Sequence, residues 1–508
     1  MNRSLASIFL FTFLVACNVS MDSDASSVQK RAPNILLMIA DDMGVETLSC
    51  YGIGKLVAKT PNLDRLCAKG VKFTQFWVQP SCTPTRTALI TGRHAFRTGS
   101  YTPTGPIYPR LDLEDKPKQL VDNQLMMAAY QDGSFIPDEN APFLVVRRTG
   151  KPPKGIKLGQ GILPDELTLP NAIREFGETE YAMGAVGKWH LVGPTAGWLS
   201  HPKDAGFDHF VGNMKGGLEN YYRYERVENG KEVGLSDKYA TTEQVDDAIT
   251  WINAQTGKKP WFLWLAFNAP HDGFHKPPNQ LISKESQKLD PQGITPANVD
   301  AYFRAMIESL DHEIGRLLAN IDEAELANTY VVFMGDNGTS QNLISEPFDR
   351  EQGKGSVYRG SVNVPFIVNG PNISGGRSID SPINVVDLFS TILKWTNTDI
   401  EDVKKLRSID GVSFANILEK KNQSPVRKFN YADIKGWLPT GNFDLRTISD
   451  GQYKLIVDDQ KNSEELYDLK SDPFEKRNLL ATEGAGQLKT VRKRLLDALQ
   501  NLSEDQKD

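Results

Sequence analysis

The sequence predicts an α/β fold, with a large, mostly parallel central sheet flanked by helices and a smaller C-terminal α+β domain of antiparallel sheet and helix. Three observations support this prediction. Four strongly apolar runs each stop at polar residues, helical patterns lie between these runs, and the pattern changes to alternating segments after Gly376. Apolar runs without alternation are typical of strands that are buried on both faces of a parallel sheet.

Four apolar runs are the candidates for the central strands. They are Ile35 to Ala40, Tyr181 to Val186, Trp261 to Phe267 and Tyr330 to Met334. The polar residues that follow them are, in the same order, Asp41 and Asp42; Gly187, Lys188 and His190; Asn268 and His271; and Asp336 and Asn337. Because ligands of open parallel sheets bind beyond the carboxyl ends of the strands, we expect these residues to form one shared site.

Helical patterns connect these runs. Thr60 and Pro61 are typical of a helix start and Gly70 of a helix end, which predicts a short helix between them. A longer helix is indicated by one apolar stripe at helical spacing. The stripe comprises Phe303, Met306, Ile307, Leu310, Ile314 and Leu317.

The last part of the chain predicts a different, smaller unit. A helix from about Ile383 to Trp395 precedes a polar stretch near residue 420. Two alternating segments, Leu445 to Ile448 and Tyr453 to Val457, flank Asp450-Gly451, which is a hairpin signal. An amphipathic helix is indicated near the end of the chain by Leu488, Val491, Leu495, Ala498, Leu499 and Leu502.

Length and charge limit the classes of protein that fit. The chain has 508 residues, of which 39% are hydrophobic, so it has enough apolar material for a large core and a second unit. We expect a main domain over residues 31–424 and a C-terminal subdomain over residues 425–508. The 58 basic and 64 acidic side chains give a net charge of -6, which does not attract nucleic acid. An anionic substrate must therefore meet a local positive site.

Residues 101–160 form an insertion that fits neither pattern. It is rich in Pro and Gly, and it carries basic residues without an acid between Ala141 and Gln160. These are Arg147, Arg148, Lys151, Lys154 and Lys157. Two interpretations stay open, a wall of the site and a surface loop.

The first 16 residues predict an export signal. Arg3 supplies a positive start, Leu5 to Ala16 form an apolar stretch too short to span a membrane comfortably, and a linker follows over residues 17–30. The segment that ends at Cys17 resembles the cleavage site of bacterial lipoproteins, in which this cysteine becomes the lipidated first residue. An ordinary secretory signal is the alternative. The lipoprotein interpretation, which we favour, predicts an exported protein anchored in the outer membrane, in the periplasm or at the cell surface.

The three cysteines beyond the signal show no zinc-binding spacing. A disulfide between Cys50 and Cys67 and two buried thiols are equally good interpretations. Cys82 begins the sequence Cys-Thr-Pro-Thr-Arg, in which Pro84 suits the first turn of a helix. We therefore expect Cys82 at a helix N-terminus, where backbone N–H groups favour an anion. The residues alone indicate an activated nucleophile beside Arg86 or, equally, a buried cysteine before a helix.

The pentapeptide from Cys82 to Arg86 resembles the C-x-P-x-R signature of the type I, formylglycine-dependent sulfatases of the alkaline-phosphatase-like superfamily. Thr85 departs from the commoner Ser but keeps a hydroxyl group. The resemblance covers nearly the whole chain after the signal and implies the sulfatase fold. Further segments are similar to motifs of the family in the same order: Asn34 to Asp42, Thr60 to Asp64, Gly187 to His190, Leu265 to His271, Gly335 to Gly338, Gly353 to Gly355, and Glu465 to Leu469 with Asp472-Pro473 and Asn478-Leu479.

The resemblance implies that Cys82 is the reacting residue after modification. A separate formylglycine-generating enzyme would oxidise it, in the unfolded chain, to 3-oxoalanine, which is formylglycine. In the hydrated aldehyde, one hydroxyl group attacks sulfur and expels the substrate alcohol, and the other then expels sulfate and restores the aldehyde. A plain serine would remain trapped as a sulfate ester.

The resemblance also implies a cation and a set of catalytic side chains. Asp41, Asp42, Asp336 and Asn337, together with residue 82, would bind a hard divalent cation, and this oxygen-rich set suits Ca²⁺, with Mg²⁺ as the alternative. The remaining roles are as follows: Lys188 and Lys354 hold sulfate oxygens, Arg86 holds the diol and the metal ligands, His190 orients or deprotonates the diol, and His271 protonates the leaving alcohol.

Three functions are compatible with these residues. The first, which we favour, is a sulfatase that removes sulfate from a sulfated polysaccharide or oligosaccharide in a bacterial glycan-degrading system. The second is a phosphate or phosphonate ester hydrolase of the same superfamily, and the third is a glycan-binding lipoprotein without catalysis. The expected partners are a sulfated carbohydrate and the formylglycine-generating enzyme. We expect no nucleic-acid partner, and we expect contact with the membrane only through the lipid anchor.

Overall fold

Strands and helices alternate through most of the described chain. The computed structural model describes residues 31–104, 161–162, 166–192, 198–419, 424–438, 441–481 and 486–504. The strands are β1 (Asn34–Ala40), β2 (Val71–Phe73), β3 (Phe76–Trp77), β4 (Ala182–Lys188), β5 (His209–Asn213), β6 (Tyr224–Glu228), β7 (Lys231–Ser236), β8 (Trp261–Ala266), β9 (Thr329–Gly335), β10 (Phe366–Asn369), β11 (Arg377–Ile379), β12 (Ile383–Asn384), β13 (Asn430–Leu438), β14 (Gly441–Ser449), β15 (Tyr453–Asp458) and β16 (Ser463–Asp468). The helices are α1 (Pro61–Lys69), α2 (Cys82–Thr91), α3 (Ala95–Thr98), α4 (Leu169–Phe176), α5 (His201–Asp204), α6 (Ala240–Gln255), α7 (Val299–Ala319), α8 (Glu323–Ala327), α9 (Arg359–Val362), α10 (Val385–Trp395), α11 (Ile400–Leu406), α12 (Ala415–Glu419) and α13 (Gly486–Glu504).

The largest sheet is mixed, with a parallel centre. In the described ranges it has ten strands, in the order β11-β2-β10-β9-β1-β8-β4-β5-β6-β7. The five strands from β9 to β5 in this order run parallel to one another. Strands β10, β6 and β7 pair antiparallel with their neighbours. The four apolar runs that precede the polar clusters form β1, β4, β8 and β9. All four lie in the parallel centre of the sheet, and the expected mostly parallel sheet is confirmed.

Strand β1 shows why these runs form central strands. All seven of its residues are buried. Ile35, Leu37 and Ile39 face a core formed with α2, α4 and α10, whereas Leu36 and Met38 face a second core formed with α1, α6 and α7. Because both faces are covered by helices, the strand needs apolar side chains at every position rather than at alternate ones.

The helix predictions hold except at one boundary. Helix α1 begins at Pro61 after Thr60 and is followed by Gly70, and the predicted apolar stripe is the buried side of α7. The helix predicted from Ile383 begins two residues later. Ile383 and Asn384 form β12, which pairs with β3, and the Asn384 side chain then caps α10 by accepting a hydrogen bond from the backbone N–H of Val386.

The C-terminal region forms a separate antiparallel sheet, as predicted. Its strands lie in the order β13-β14-β15-β16, and α13 packs against it through Leu495 and Leu499. The expected boundary between residues 424 and 425 stays a prediction, since residues 420–423 lie outside the described chain.

Other predictions concern the N-terminus, the insertion and the cysteines. The signal over residues 1–16, the linker with Cys17, and residues 105–160 of the insertion lie outside the described residues. Within the described part, no helix has the length and apolar character needed to cross a membrane. Cys50 and Cys67, 17 positions apart, form a disulfide, which decides between the two interpretations of this pair.

Candidate active site

The ends of neighbouring parallel strands bring the predicted polar residues together. In the sheet, β9 lies beside β1, β1 beside β8, and β8 beside β4. The residues that follow these strands therefore share one edge, as expected for a parallel sheet. Asp41, Asp336, Lys188 and His271 are all buried there.

Cys82 enters this cluster from the side of α2. It is the first residue of the helix, and every residue of the helix is buried. Its Sγ lies 3.3 Å from Nδ1 of His190. The same sulfur and one carboxylate oxygen each of Asp41 and Asp336 lie within 4.8 Å of one another. The thiol therefore lies at the helix N-terminus that the sequence predicts, among the carboxylates.

Arg86, one turn along α2, fixes the position of Asp336. Its guanidinium is fully buried, and Nε and Nη2 donate to Oδ2 of Asp336 at 3.0 and 2.9 Å. Nη1 donates to the carbonyl of Lys188 at 3.0 Å. The other Asp336 oxygen accepts a hydrogen bond from the backbone N–H of Asp42 at 3.2 Å. The Arg86 guanidinium therefore connects α2 to the ends of β9 and β4. It can do so because a rigid planar guanidinium donates to several acceptors at once.

Two lysines pair with the aspartates that follow β1. Lys188 forms an ion pair with Oδ2 of Asp41, and Lys354 with Oδ1 of Asp42. Oδ1 of Asp42 also accepts a hydrogen bond from the Asn337 amide at 2.7 Å. The three carboxylates of the cluster are thus faced by three basic side chains, which offsets the cost of burying their charge.

Burial and neighbouring charges give the two adjacent aspartates different protonation behaviour. Burial raises the pKa of Asp41 to about 8, while Lys188 opposes this rise and the carboxylate of Asp336 adds to it. Burial also acts to raise the pKa of Asp42, but Lys354 and His271 outweigh it, and the pKa falls well below its ordinary value. Asp42 therefore stays ionised at neutral pH, and a further cation nearby would favour the ionised form of Asp41.

The cluster has the donor atoms that a hard divalent cation needs. Oδ1 of Asp41 and Oδ1 of Asn337 are buried and have no hydrogen-bond partner among the described residues. Buried acceptors without a donor are unfavourable, and oxygen is the ligand that Ca²⁺ and Mg²⁺ prefer, so the residues fit such an ion. A ring nitrogen of His271 lies within 4.8 Å of carboxylate oxygens of Asp41 and Asp42. The sequence analysis places His271 in the same site as these aspartates but does not include it among the metal ligands.

The two histidines differ in protonation. Nε2 of His190 lies 3.0 Å from the carbonyl of Thr104, which can only accept, so Nε2 carries the hydrogen and Nδ1 faces Cys82. Burial, with nearby Lys188, holds the pKa of His190 well below its ordinary value. Burial also disfavours protonation of His271, but Asp272 and Asp41 outweigh it and raise the pKa of His271 to about 9. At neutral pH, His190 is therefore neutral and His271 protonated.

Backbone strain marks two of these positions. Asp42 has a φ of 63° and His190 a φ of 48°. Left-handed backbone is uncommon for residues other than glycine, and it is concentrated at functional sites, where the surrounding structure holds it. Each is the second residue after the end of a central strand, so the turn directs its side chain into the cluster.

Several contacts of the site had not been predicted. Asp272 pairs with Nδ1 of His271, and Thr104, at the start of the insertion, contacts His190. Gly216 and Gly217, after β5, lie against both histidines. A Cβ at Gly216 would lie 2.6 Å from Cε1 of His190, and one at Gly217 would lie 3.0 Å from Cε1 of His271. The available signal was a Gly-Gly pair shortly after a strand, which indicates close approach of the backbone to another group.

Comparison with known proteins identifies the family. A family model described as Sulfatase matches residues 33–398, and a model described as N-sulphoglucosamine sulphohydrolase, C-terminal, matches residues 350–505. The chain belongs to the sulfatase family. It is therefore a sulfuric ester hydrolase with the alkaline-phosphatase-like fold that the resemblance implied.

Relatives of this sulfatase cover most of its length. It is 24% identical to a sulfatase from Formosa agariphila, over 94% of this chain and 90% of that protein. It is 27% identical to the N-acetylgalactosamine-6-sulfatase of Homo sapiens, over 75% of this chain and 65% of that enzyme. A solved structure of a protein in complex with its substrate D-glucosamine-2-N,6-O-disulfate shares the fold, with a TM-score of 0.67 and 20% identity over 94% of this chain and 99% of that one.

In this sulfatase the predicted site residues lie in one cluster, apart from Cys17, which lies outside the described residues. Within the cluster, Cys82 is a buried thiol at the start of a helix, beside a histidine and carboxylates, so both interpretations of the pentapeptide stay compatible with its position. Its predicted members are Asp41, Asp42, Cys82, Arg86, Lys188, His190, His271, Asp336, Asn337 and Lys354.

Proposed function

We propose that this sulfatase removes sulfate from sulfated carbohydrates, using formylglycine formed from Cys82 and a divalent cation, Ca²⁺ or Mg²⁺. The observation that carries the proposal is the position of the residue 82 side chain, which contacts Nδ1 of His190 and lies beside the carboxylates of Asp41 and Asp336. When present, formylglycine hydrate supplies the hydroxyl nucleophile, and the cation offsets the charge of the sulfate group. Asp41, Asp42, Asp336 and Asn337 would hold that cation.

The two histidines suit opposite proton transfers. Neutral His190 directs Nδ1 at the residue 82 side chain, so it can accept a proton there. Burial disfavours protonation of His271, but Asp272, which pairs with its Nδ1, raises the pKa of this ring, so His271 can give a proton to the oxygen of the leaving alcohol. Two titratable groups whose surroundings separate their pKa values are the expected arrangement for a base and an acid in one site.

The two lysines would bind the sulfate group. Their ammonium groups lie beside Asp41 and Asp42, next to the carboxylates that surround the nucleophile. Fixed positive charge in a buried site stabilises the negative charge that develops on sulfate oxygens in the transition state. Arg86 would act by holding Asp336 rather than by touching the substrate, because its donors are directed to Asp336 and to the carbonyl of Lys188.

The substrate class rests on the relatives. The human relative is an N-acetylgalactosamine-6-sulfatase, and a protein of the same fold was solved in complex with its substrate D-glucosamine-2-N,6-O-disulfate. An export signal and a lipidated Cys17 would place the enzyme in the periplasm or at the cell surface, where a bacterium meets external glycans. Labelling with a radioactive fatty acid, compared between the wild type and Cys17→Ser, tests this anchor.

The modification is tested by mass analysis of the peptide that contains residue 82. Thiol, aldehyde and hydrate differ in mass, and we expect the aldehyde or its hydrate in protein made in a host that has a formylglycine-generating enzyme. Protein that carries only the thiol and yet releases sulfate at full rate would contradict the proposal.

The activity is tested by sulfate release from a panel of sulfated mono- and oligosaccharides, with Cys82→Ala as the inactive control. We expect a chelator to abolish release and Ca²⁺ or Mg²⁺ to restore it. Turnover of a small aryl sulfate without release from any sulfated sugar would refute the carbohydrate assignment. Faster hydrolysis of matched phosphate esters would favour the alternative activity of the superfamily.

A further inference from the structure

The C-terminal sheet packs behind the loop that carries Lys354. Residues 472–476 follow β16 and contact this loop on both sides of the lysine. Before it, the Gln352 amide donates to the carbonyl of Phe474 at 2.8 Å. After it, the backbone N–H of Arg359 donates to Oε2 of Glu475 at 2.6 Å, and the Arg359 guanidinium donates to the carbonyl of Pro473 at 3.0 Å. The segment therefore brackets Lys354.

Glu475 is fixed from its other side by a buried ion pair. Its second carboxylate oxygen pairs with Nζ of Lys454 on β15, and both side chains are fully buried. The ammonium group lies 5.0 Å from the centre of the Trp77 ring and 5.9 Å from that of Tyr358, within the range of cation–π attraction. Removing one partner of such a pair leaves an uncompensated buried charge, so the pair locks Glu475 in place.

The backbone of Glu475 confirms that its position is enforced. Its φ is 56°, in the left-handed region that residues with side chains rarely adopt. Such a conformation persists only when surrounding contacts over-determine it. Here those contacts are the ion pair to Lys454 and the hydrogen bonds from Gln352 and Arg359.

The two sulfate-binding lysines differ in how they are supported. Lys188 is the last residue of β4. It pairs with Asn213 of β5, and the preceding Gly187 pairs with Ala266 of β8. Lys354 lies in a loop, where its own N–H donates to the carbonyl of Thr339 at 2.9 Å and the N–H of Gly355 donates to the carbonyl of Pro80 at 2.9 Å. The ammonium group that must reach Asp42 is therefore positioned by loop contacts rather than by the sheet.

We propose that Glu475 is a positioning residue for Lys354: anchored by Lys454, it holds residues 352–359 so that the Lys354 ammonium group lies beside Asp42. The C-terminal sheet then supports catalysis through this loop. This inference rests on the proposed function of Lys354 in binding sulfate. A misplacement of about 1 Å at a catalytic group can lower a rate by about 100-fold. A contact that positions Lys354 can therefore have a large effect on the rate.

The kinetic test is a double-mutant cycle. We expect Glu475→Gln to lower kcat/KM for sulfate release by about 10-fold or more. In the Lys354→Ala background, the same substitution should lower kcat/KM by less than about 2-fold. The effects of two residues that act through one group are not additive. The matched control is Glu464→Gln, which breaks an ion pair to Arg492 in the same subdomain, away from the site. It should stay within about 2-fold of the wild type. Equal losses in both backgrounds, or an equal loss in the control, would overturn the proposal.

A second measurement does not depend on activity. Hydrogen exchange of backbone amides over residues 350–360 should become at least about 10-fold faster in Glu475→Gln and stay unchanged in Glu464→Gln, because only the first variant releases the loop. Unchanged exchange in Glu475→Gln would overturn the proposal. If the wild type released no sulfate while this exchange result held, the proposed function alone would fail.

A third variant covers the case in which Glu475→Gln does not fold. Lys454→Met/Glu475→Gln removes both charges of the buried ion pair together, and the same outcomes are expected of it in both measurements. Wild-type kcat/KM together with wild-type exchange in this variant would overturn the proposal.

Discussion

Replacing Gly216 by Ala should slow the sulfatase strongly through His190 without unfolding the protein. The added Cβ would lie 2.6 Å from Cε1 and 2.7 Å from Nε2 of the imidazole ring. Heavy atoms in ordinary contact lie about 3.5 to 4.0 Å apart, so either the ring or the loop has to move by about 1 Å.

The ring of His190 has little freedom to yield. It is buried, Nδ1 lies 3.3 Å from Cys82 Sγ, and Nε2 lies 3.0 Å from the carbonyl of Thr104. A displacement of about 1 Å at a catalytic group costs up to about 100-fold in rate. We therefore expect kcat to fall by about 10- to 100-fold, whereas overpacking should lower the free energy of unfolding by only about 1 to 3 kcal/mol.

The assay is sulfate release, measured beside thermal unfolding of the same samples. Gly230→Ala is the matched control, since its Cβ would have no neighbour closer than 3.7 Å while its φ of 82° strains the backbone. This control should lose about 1 kcal/mol of stability and keep kcat within about 2-fold. Wild-type kcat in Gly216→Ala, or an equal loss of kcat in Gly230→Ala, would refute the reasoning.

Three further predictions concern buried groups and the disulfide. Burial, opposed by Asp410, lowers the pKa of His94 to about 4, so the unfolded chain takes up a proton near pH 6.5 that the folded state resists. The free energy of unfolding should therefore fall by up to about 3 kcal/mol as the pH drops from 6.5 to 4. Urea unfolding of His94→Gln should lack this fall. A fall of the same size in His94→Gln would contradict the assignment to His94. Replacing Cys50 and Cys67 by Ser opens a loop of 17 positions and should cost about 3 kcal/mol of stability with kcat retained; unchanged urea midpoints would argue against the disulfide. Arg86→Met leaves Asp336 buried without its partner, so we expect loss of sulfate release and a drop of about 3 to 5 kcal/mol in the free energy of unfolding; an active, equally stable variant would show that Arg86 does not hold the site.

Much of the site could be predicted because parallel strands align their ends. Asp41 follows β1 and Asp336 follows β9, and neighbouring pairing of the two strands brings them together whatever the rest of the fold does. The same geometry places Lys188 beside them. The local sequence was also enough to predict that Cys82 lies at a helix N-terminus, because proline, here Pro84, is common in the first turn of a helix.

The contacts that were missed depend on irregular backbone. Asp272 is the neighbour of His271 in the sequence, but only the turn between them brings its carboxylate to the ring. Gly216 and Thr104 reach His190 through loops whose paths no periodicity records. The local pattern predicts that Ile383 lies in a helix, whereas the structure places it in a strand. This strand forms because Ile383 pairs with Phe76, which is distant in the sequence, and a local pattern contains no information about such a partner.

The burial of α2 has a consequence for the timing of biosynthesis. The partner of Arg86 is Asp336, which follows 250 positions later, and the helix is packed against α10, which comes later still. At about 5 to 20 residues per second, the ribosome needs about 12 to 50 seconds to add 250 residues. For the conversion of Cys82 that we propose, the modifying enzyme would have to reach residue 82 within this interval, before the later half of the chain buries it. Faster elongation or earlier docking of α2 would thus raise the share of protein that is released with an unconverted thiol.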